Sequence, residues 1–167
     1  MSNRVNHPEY YKKKNGIETI EVIRHYVCDI ANAQKYLMRA GDKPEQGMTA
    51  EEKEVEDLRK ALWYIHDVRK HRLSILYTAK IINDPTMLLR VFDTTGHMVE
   101  DITKGFNEHI SKAIKRLLMV GLIRDGKMYC CKTPSICLSD ATQEIQQRIL
   151  EIESQGLKKD LDNDNEK

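Results

Sequence analysis

The stretch Asn107–Tyr129, NEHISKAIKRLLMVGLIRDGKMY, holds a helix, its stop and a hairpin in one run. Ile110, Ile114, Leu117 and Leu118 recur at i, i+4, i+7 and i+8, which is one face of an α-helix. Asn107 is placed to cap that helix and Gly121 to end it. Asp125-Gly126 then separates Leu122-Ile123-Arg124 from Lys127-Met128-Tyr129, and Asp-Gly between two such runs predicts a two-residue β-hairpin.

The pattern extends in both directions. Upstream, Asp84-Pro85 predicts an N-cap and first-turn proline for a helix through Met87, Leu88 and Val91, broken at Thr94-Thr95-Gly96. Val99, Ile102 and Phe106 predict a short helix. Downstream, Ile136-Cys137-Leu138 reads as a returning strand, and Ser139 or Asp140 caps a last helix through Ile145, Ile149 and Ile152. Nearer the start, Ile17, Ile20, Ile23 and Val27 predict an amphipathic helix. A second runs from Ile30 to Ala40, with Gly41 as its stop. Thr49 with Glu52 forms a capping box for a third, whose apolar stripe is Val55, Leu58, Leu62 and Ile65. The expected fold is mainly α: a small helical domain over 1–72, an α+β module with a short hairpin over 73–155, and a disordered acidic tail over 156–167. A long helix near 50–82 is expected to join the two parts and to support a homo-oligomer.

Composition narrows the function classes. The 167 residues carry 27 Lys+Arg and 26 Asp+Glu, a net +1. That balance is a cancellation: residues 1–72 carry 14 basic and 12 acidic groups, residues 73–139 carry 9 and 6, and residues 140–167 carry 4 and 8. A hydrophobic fraction of 40% supports a core. No run of about 18 apolar residues exists, so no membrane span is expected. The opening residues lack the apolar stretch of a secretory signal, and four Cys are too few for a disulfide scaffold, so a reduced cytoplasm is the expected setting. Cys130, Cys131 and Cys137 read as small half-buried residues; no Cys-x-x-Cys pair is present, and a zinc site there would need His97 or His109 as a further ligand.

Several stretches carry a family resemblance. These are Val5-Asn6-His7-Pro8 with Tyr11, Ile17-Glu18, Ile20-Glu21-Val22-Ile23, Asn32 to Gly41 (NAQKYLMRAG) with Lys43, and Glu56 to Tyr64 (EDLRKALWY). Together they resemble a small domain of phage and prophage proteins, a family that includes a coliphage nucleotide kinase. The chain departs from that pattern at Tyr10, where a His is usual, at Ala31, where a Gly is usual, and in a longer loop over 44–50. The resemblance implies a protein of a bacterial host's cytoplasm that binds nucleotide phosphates, and phosphoryl transfer in at least one relative. It also implies that Asn6 and Tyr11 orient the base or sugar, that His7 serves as base or phosphate donor, and that Asn32 and Lys60 belong to the nucleotide site.

The residues can be read on their own chemistry as well. Lys35 and Arg39 lie four apart on one helix face and Lys43 just beyond it, a spacing that suits a di- or triphosphate and equally a solvated basic face. There is no Gly-x-x-x-x-Gly-Lys-Ser/Thr loop. Glu18 with Glu21 and Glu54 with Asp57 each place two carboxylates one helical turn apart, as if to hold Mg²⁺, with Asp57 the candidate catalytic carboxylate. That pattern is similar to the all-α nucleotide pyrophosphohydrolases. A helix first turn favoured by its dipole explains the Glu51–Asp57 acids equally well. Trp63 and Tyr64 suit either helix packing or base stacking.

The order helix, helix, helix, hairpin, strand, helix after residue 84 resembles a winged-helix domain. That implies double-stranded DNA as a partner, with Lys112, Lys115 and Arg116 facing a groove and Arg124, Lys127 and Lys132 reaching phosphates. Winged helices also bind proteins. Neither Asn nor Gln lies on the reading face, which argues against sharp base specificity. A non-catalytic nucleotide-sequestering protein remains a further alternative.

Overall fold

Thr49 opens the longest helix of the first segment through the expected capping box: its side chain accepts from the Glu52 N–H, and the Glu52 carboxylate accepts from the Thr49 N–H. The computed structural model describes residues 8–11 and 14–165, with side chains to Leu157. After a 3₁₀ turn at Glu9–Tyr11 come α1 (Thr19–Ile23), α2 (Cys28–Met38) and α3 (Ala50–Asp67). A π-helical turn, Val68–Arg72, leads into α4 (Leu73–Leu76) and β1 (Lys80–Ile81). Then follow α5 (Asp84–Thr95), α6 (Val99–Thr103), α7 (Glu108–Leu118), β2 (Leu122–Arg124), β3 (Lys127–Cys130) and α8 (Pro134–Asn165). The chain is thus mainly α with one small three-stranded sheet in the order β1-β3-β2.

The hairpin forms as the sequence predicts. Asp125 and Gly126 both take positive φ, 50° and 69°, as a type I′ turn requires, and β2 pairs antiparallel with β3. Asn107 caps α7 by accepting from the His109 N–H. The apolar stripe of α7 is wholly buried.

Five expectations are corrected. Ile136-Cys137-Leu138 is not a strand but part of α8, which begins at Pro134, where the ring's fixed φ suits a first turn. The Thr133 carbonyl accepts from the N–H groups of Ile136 and Cys137, so neither Ser139 nor Asp140 caps this helix. The third strand comes instead from Lys80–Ile81, parallel to β3. The cap of α5 is Asn83, accepting from Thr86 N–H, with Asp84-Pro85 inside the helix. The helix near 50–82 breaks up after Asp67, and β1 ends it by pairing with β3. Finally, α8 continues past Gly156 to Asn165 where a disordered tail was expected.

The two segments share one core. Ile30 and Leu37 of α2, Leu58 and Ile65 of α3, Ile114 and Leu117 of α7, and Leu138 and Ile145 of α8 belong to a single buried cluster. Each such side chain contributes roughly 1.5–3 kcal/mol over an exposed position. Backbone bonds cross between the segments: Val27 N–H to Gly121 C=O at 3.0 Å and Ile123 N–H to His25 C=O at 2.6 Å. The buried Tyr26 hydroxyl donates to Leu118 C=O at 3.0 Å, and burial pushes its pKa well up. No described helix is long and apolar enough to cross a membrane.

Candidate functional site

Helix α2 presents Asn32, Lys35, Tyr36 and Arg39 within two turns, and α3 presents Lys53, Glu56, Asp57, Lys60 and Tyr64 opposite them. The two helices meet through rings: Tyr36 stacks on Tyr64, with centroids 5.8 Å apart and planes at 19°. Three cations gather on Tyr36. Arg39 lies 4.6 Å from its centroid, Lys35 4.7 Å and Lys60 5.8 Å. The negative face of the ring offsets part of their mutual repulsion.

A buried charge network holds this cluster. Asp57 is fully buried and pairs with Arg39 at 3.3 Å and Lys53 at 3.6 Å. Lys53 also binds Glu45 at 2.8 Å and makes a short bond to Glu56, which accepts from Lys60 at 2.5 Å. Donation by Lys53, then Lys60, holds the Glu56 carboxyl down to about 2. Burial works against the Arg39 charge, but Asp57 and the Tyr11 hydroxyl outweigh it and the guanidinium pKa is raised. Arg39 Nε and one Asp57 carboxylate oxygen are buried with no partner among the described residues. Asn32 accepts from Lys35 at 2.8 Å. Lys35 and Lys43 have no carboxylate partner among the described residues.

The polypeptide before α1 closes over the end of α2. Arg39 donates to the Tyr11 hydroxyl at 3.4 Å, and Thr19 donates to the Tyr11 carbonyl at 2.8 Å. Lys14 reaches Ala40 C=O at 2.8 Å and Asp42 at 2.6 Å, which anchors this segment beside Lys43 in the following loop. Asn6 and His7 lie outside the described residues. Tyr36, Lys14 and Lys53 join the site without having been singled out. Lys53 alone had a local signal, as a lone base three and four residues before Glu56 and Asp57.

The four proposed metal carboxylates do not converge. Glu21 pairs with His97 at 2.9 Å, Glu54 takes Arg148 in a fork at 2.8 and 3.2 Å, and Asp57 faces Arg39 and Lys53. Glu18 precedes α1 without capping it. Among the described residues no three His, Cys, Asp or Glu groups are arranged to hold a metal ion.

The exposed α7 cations border a cleft of about 480 Å³ that carries both signs of charge. Lys112, Lys115 and Arg116 share it with Asp84, Glu100, Asp140 and Glu144. Lys112 pairs with Glu108 at 2.7 Å, Arg116 with Asp140 at 3.2 Å, and Arg124 with Asp93 at 3.2 Å. Lys115, Lys127 and Lys132 are exposed. A larger cleft of about 740 Å³, between the start of α3 and the far part of α8, is walled by Glu51, Glu52, Glu56 and Glu153 and suits no polyanion.

These geometries define a cationic, tyrosine-centred cluster between α2 and α3. Residues 5–66 match the family model described as a protein of unknown function (DUF3310). That span contains every member of the Tyr36 cluster. No curated protein and no solved structure matches the chain.

Proposed function

We propose that this protein binds a nucleotide through its phosphates at the Tyr36 cluster. The observation that carries the reading is the gathering of Lys35, Arg39 and Lys60, from two helices, about one ring. Like charges held this close are costly unless an anion offsets them. Asp57 and Glu56 already serve Arg39 and Lys60. That leaves Lys35 and Lys43 for phosphate oxygens, with Arg39 as the fixed anchor between them. The Asn6–Tyr11 arm then closes over base or sugar, as the resemblance to the phage family suggests. Binding without turnover is the better supported form, because Asp57, the candidate catalytic carboxylate, is fully buried and neutralised by two cations. Mg²⁺ enters this reading only as an ion that arrives with the phosphates.

A thermal-shift screen of nucleoside mono-, di- and triphosphates, with and without Mg²⁺, tests it. At about 100 times Kd the ligand adds roughly 2.7 kcal/mol, or about 5–10 °C in Tm. Lys35→Ala should keep its unliganded Tm within about 2 °C and lose most of that shift. No shift with any nucleotide would sink the reading, and a nucleotide product in the bound mixture would move it from sequestration to phosphoryl transfer.

A second reading concerns α5 to α8. The succession of α6, α7 and the β2–β3 hairpin supports a winged-helix-like module. The carboxylates paired with its cations favour a protein partner over DNA. A DNA partner would give binding that weakens steeply with salt.

A further inference from the structure

Cys131 follows directly on β3, and Cys137 lies one turn into α8. Their sulfur atoms are 3.1 Å apart and unbonded. The adjacent Cys130 points elsewhere, as alternation at a strand end requires, and its sulfur accepts from the Gly121 N–H at 3.2 Å. The pair is therefore selected by geometry: of two neighbouring cysteines only one faces Cys137. The Cys131 N–H is fixed on Met119 C=O at 2.9 Å, so the facing sulfur is carried on a pinned backbone.

The surroundings suit thiol chemistry. Asp84 and Arg116 act electrostatically on the pair, and both line the 480 Å³ cleft together with Met119 and Asp140, so small solutes have a route to its edge. The hydrogen bond between the two sulfurs, against the effect of burial, holds the Cys131 thiol below its usual value, while Cys137 is pushed up. One thiolate beside one protonated thiol is the arrangement that disulfide formation uses. No third metal-ligating side chain joins them among the described residues, which leaves the pair to redox chemistry.

We propose that Cys131 and Cys137 form a reversible dithiol–disulfide couple whose oxidant is a small peroxide. The Cys131 thiolate attacks one peroxide oxygen, the O–O bond breaks, and the departing hydroxide takes up a proton to leave as water. The Cys137 sulfur then attacks the sulfenic sulfur of Cys131. Its S–O bond breaks, and the hydroxyl leaves as a second water with the Cys137 proton. Two thiols and one peroxide become one disulfide and two waters. The product straps the end of β3 to the first turns of α8, beside the cleft that holds Lys115 and Arg116.

The test uses the full chain carrying Cys28→Ser, because Cys28 is exposed and would cross-link molecules. After brief treatment with hydrogen peroxide, intact mass should fall by two hydrogens, and titratable thiols should drop from three to one. Dithiothreitol should restore both. Trypsin should release Met128–Lys132 joined to Thr133–Arg148. Adding Cys130→Ser should leave that cross-link intact, and adding Cys131→Ser or Cys137→Ala should abolish it. Retention of all three thiols, gain of oxygen without a cross-link, or a cross-link that persists through Cys130 when Cys131 is replaced would each overturn the proposal. In the Cys28→Ser protein, fragmentation of the linked peptide between Cys130 and Cys131 assigns the bonded sulfur even if a core variant fails to fold.

Discussion

Asp57 shows how one carboxylate can fix a site it does not perform in. Arg39 and Lys53 are both buried, and Asp57 is the carboxylate common to them. Removing its charge strands two cations in a dry interior, so Asp57→Asn should cost about 3–5 kcal/mol in urea unfolding. Glu153→Gln, at the exposed pair with Arg59, should cost less than about 0.5 kcal/mol. Equal losses would show that the Asp57 network is not the anchor. The pairing was illegible in the sequence, where Asp57 reads either as a metal-holding carboxylate with Glu54 or as one more acid of a solvated first turn. The facing of Lys35 and Arg39 was legible, because i and i+4 share a helix side. Glu21 with His97 and Glu54 with Arg148 were not, since each pairing joins residues far apart in the chain. His109 offers a second residue-scale test. Glu144 accepts from its Nδ1 at 2.6 Å and Glu151 from its Nε2 at 3.0 Å, and with Glu144 the larger cause its pKa is raised. Arg148 on Glu151, and Glu108 and Lys112 on its own helix, complete the surrounding charges. A raised histidine stabilises fully below about pH 6.5 and loses that contribution as pH climbs through its folded value. From about pH 5.5 to about pH 8.5 the wild-type Tm should therefore fall more than that of His109→Gln. His25, whose pKa burial lowers, has the opposite slope and cancels in the comparison. Parallel profiles would remove His109 from the account.

Elements were legible where their signals are local and hidden where a partner decides them. Thr49, Asn107 and Asp125-Gly126 each specify a boundary within four residues, and all three act as expected. Ile136-Cys137-Leu138 misled because a short apolar run fits a strand or a buried helix equally. Nothing between Asp67 and Ala79 resembles a helix breaker; the chain passes through the π turn at Val68–Arg72, leaves the helix after Leu76, and β1 then pairs with a strand some fifty residues on. Gly121 marks the junction between α7 and β2 and carries more than a turn. Its φ is +71°, its carbonyl accepts from Val27, and a Cβ there would sit 2.7 Å from a Val27 methyl. Gly121→Ala should thus cost about 2–4 kcal/mol, from backbone strain plus a clash between segments. Gly126 has a similar φ of +69° with nothing within 4 Å of its added Cβ, so Gly126→Ala should lose only about 1 kcal/mol. Urea midpoints that fail to separate these two would reject the steric part of the argument.

At the scale of the molecule, composition and motifs divide the chain near residue 72, yet the packing does not follow that line. The buried faces of α2 and α3 lie in one cluster with those of α7 and α8, and backbone bonds from His25 and Val27 end on the far segment. Asn15 donates to Ile102 C=O at 2.7 Å, and the Arg148–Glu54 fork ties α8 to α3. Cutting the chain between the segments would expose apolar surface on both sides and leave the Tyr26 hydroxyl without the carbonyl it is buried against. Neither half then keeps enough burial to offset its chain entropy. The expected behaviour is one cooperative transition. Trp63 fluorescence, through the ring's edge contact with Tyr64, reports the first segment, reactivity of the buried Cys130, Cys131 and Cys137 reports the second, and far-ultraviolet dichroism reports the helices of both. In urea all three should share one midpoint and one slope, because no helix can lose its face without opening the common core. Thiols that become reactive at a urea concentration where Trp63 is still native would instead mark two independently folding units, and the shared core would then be a contact surface rather than the source of the fold.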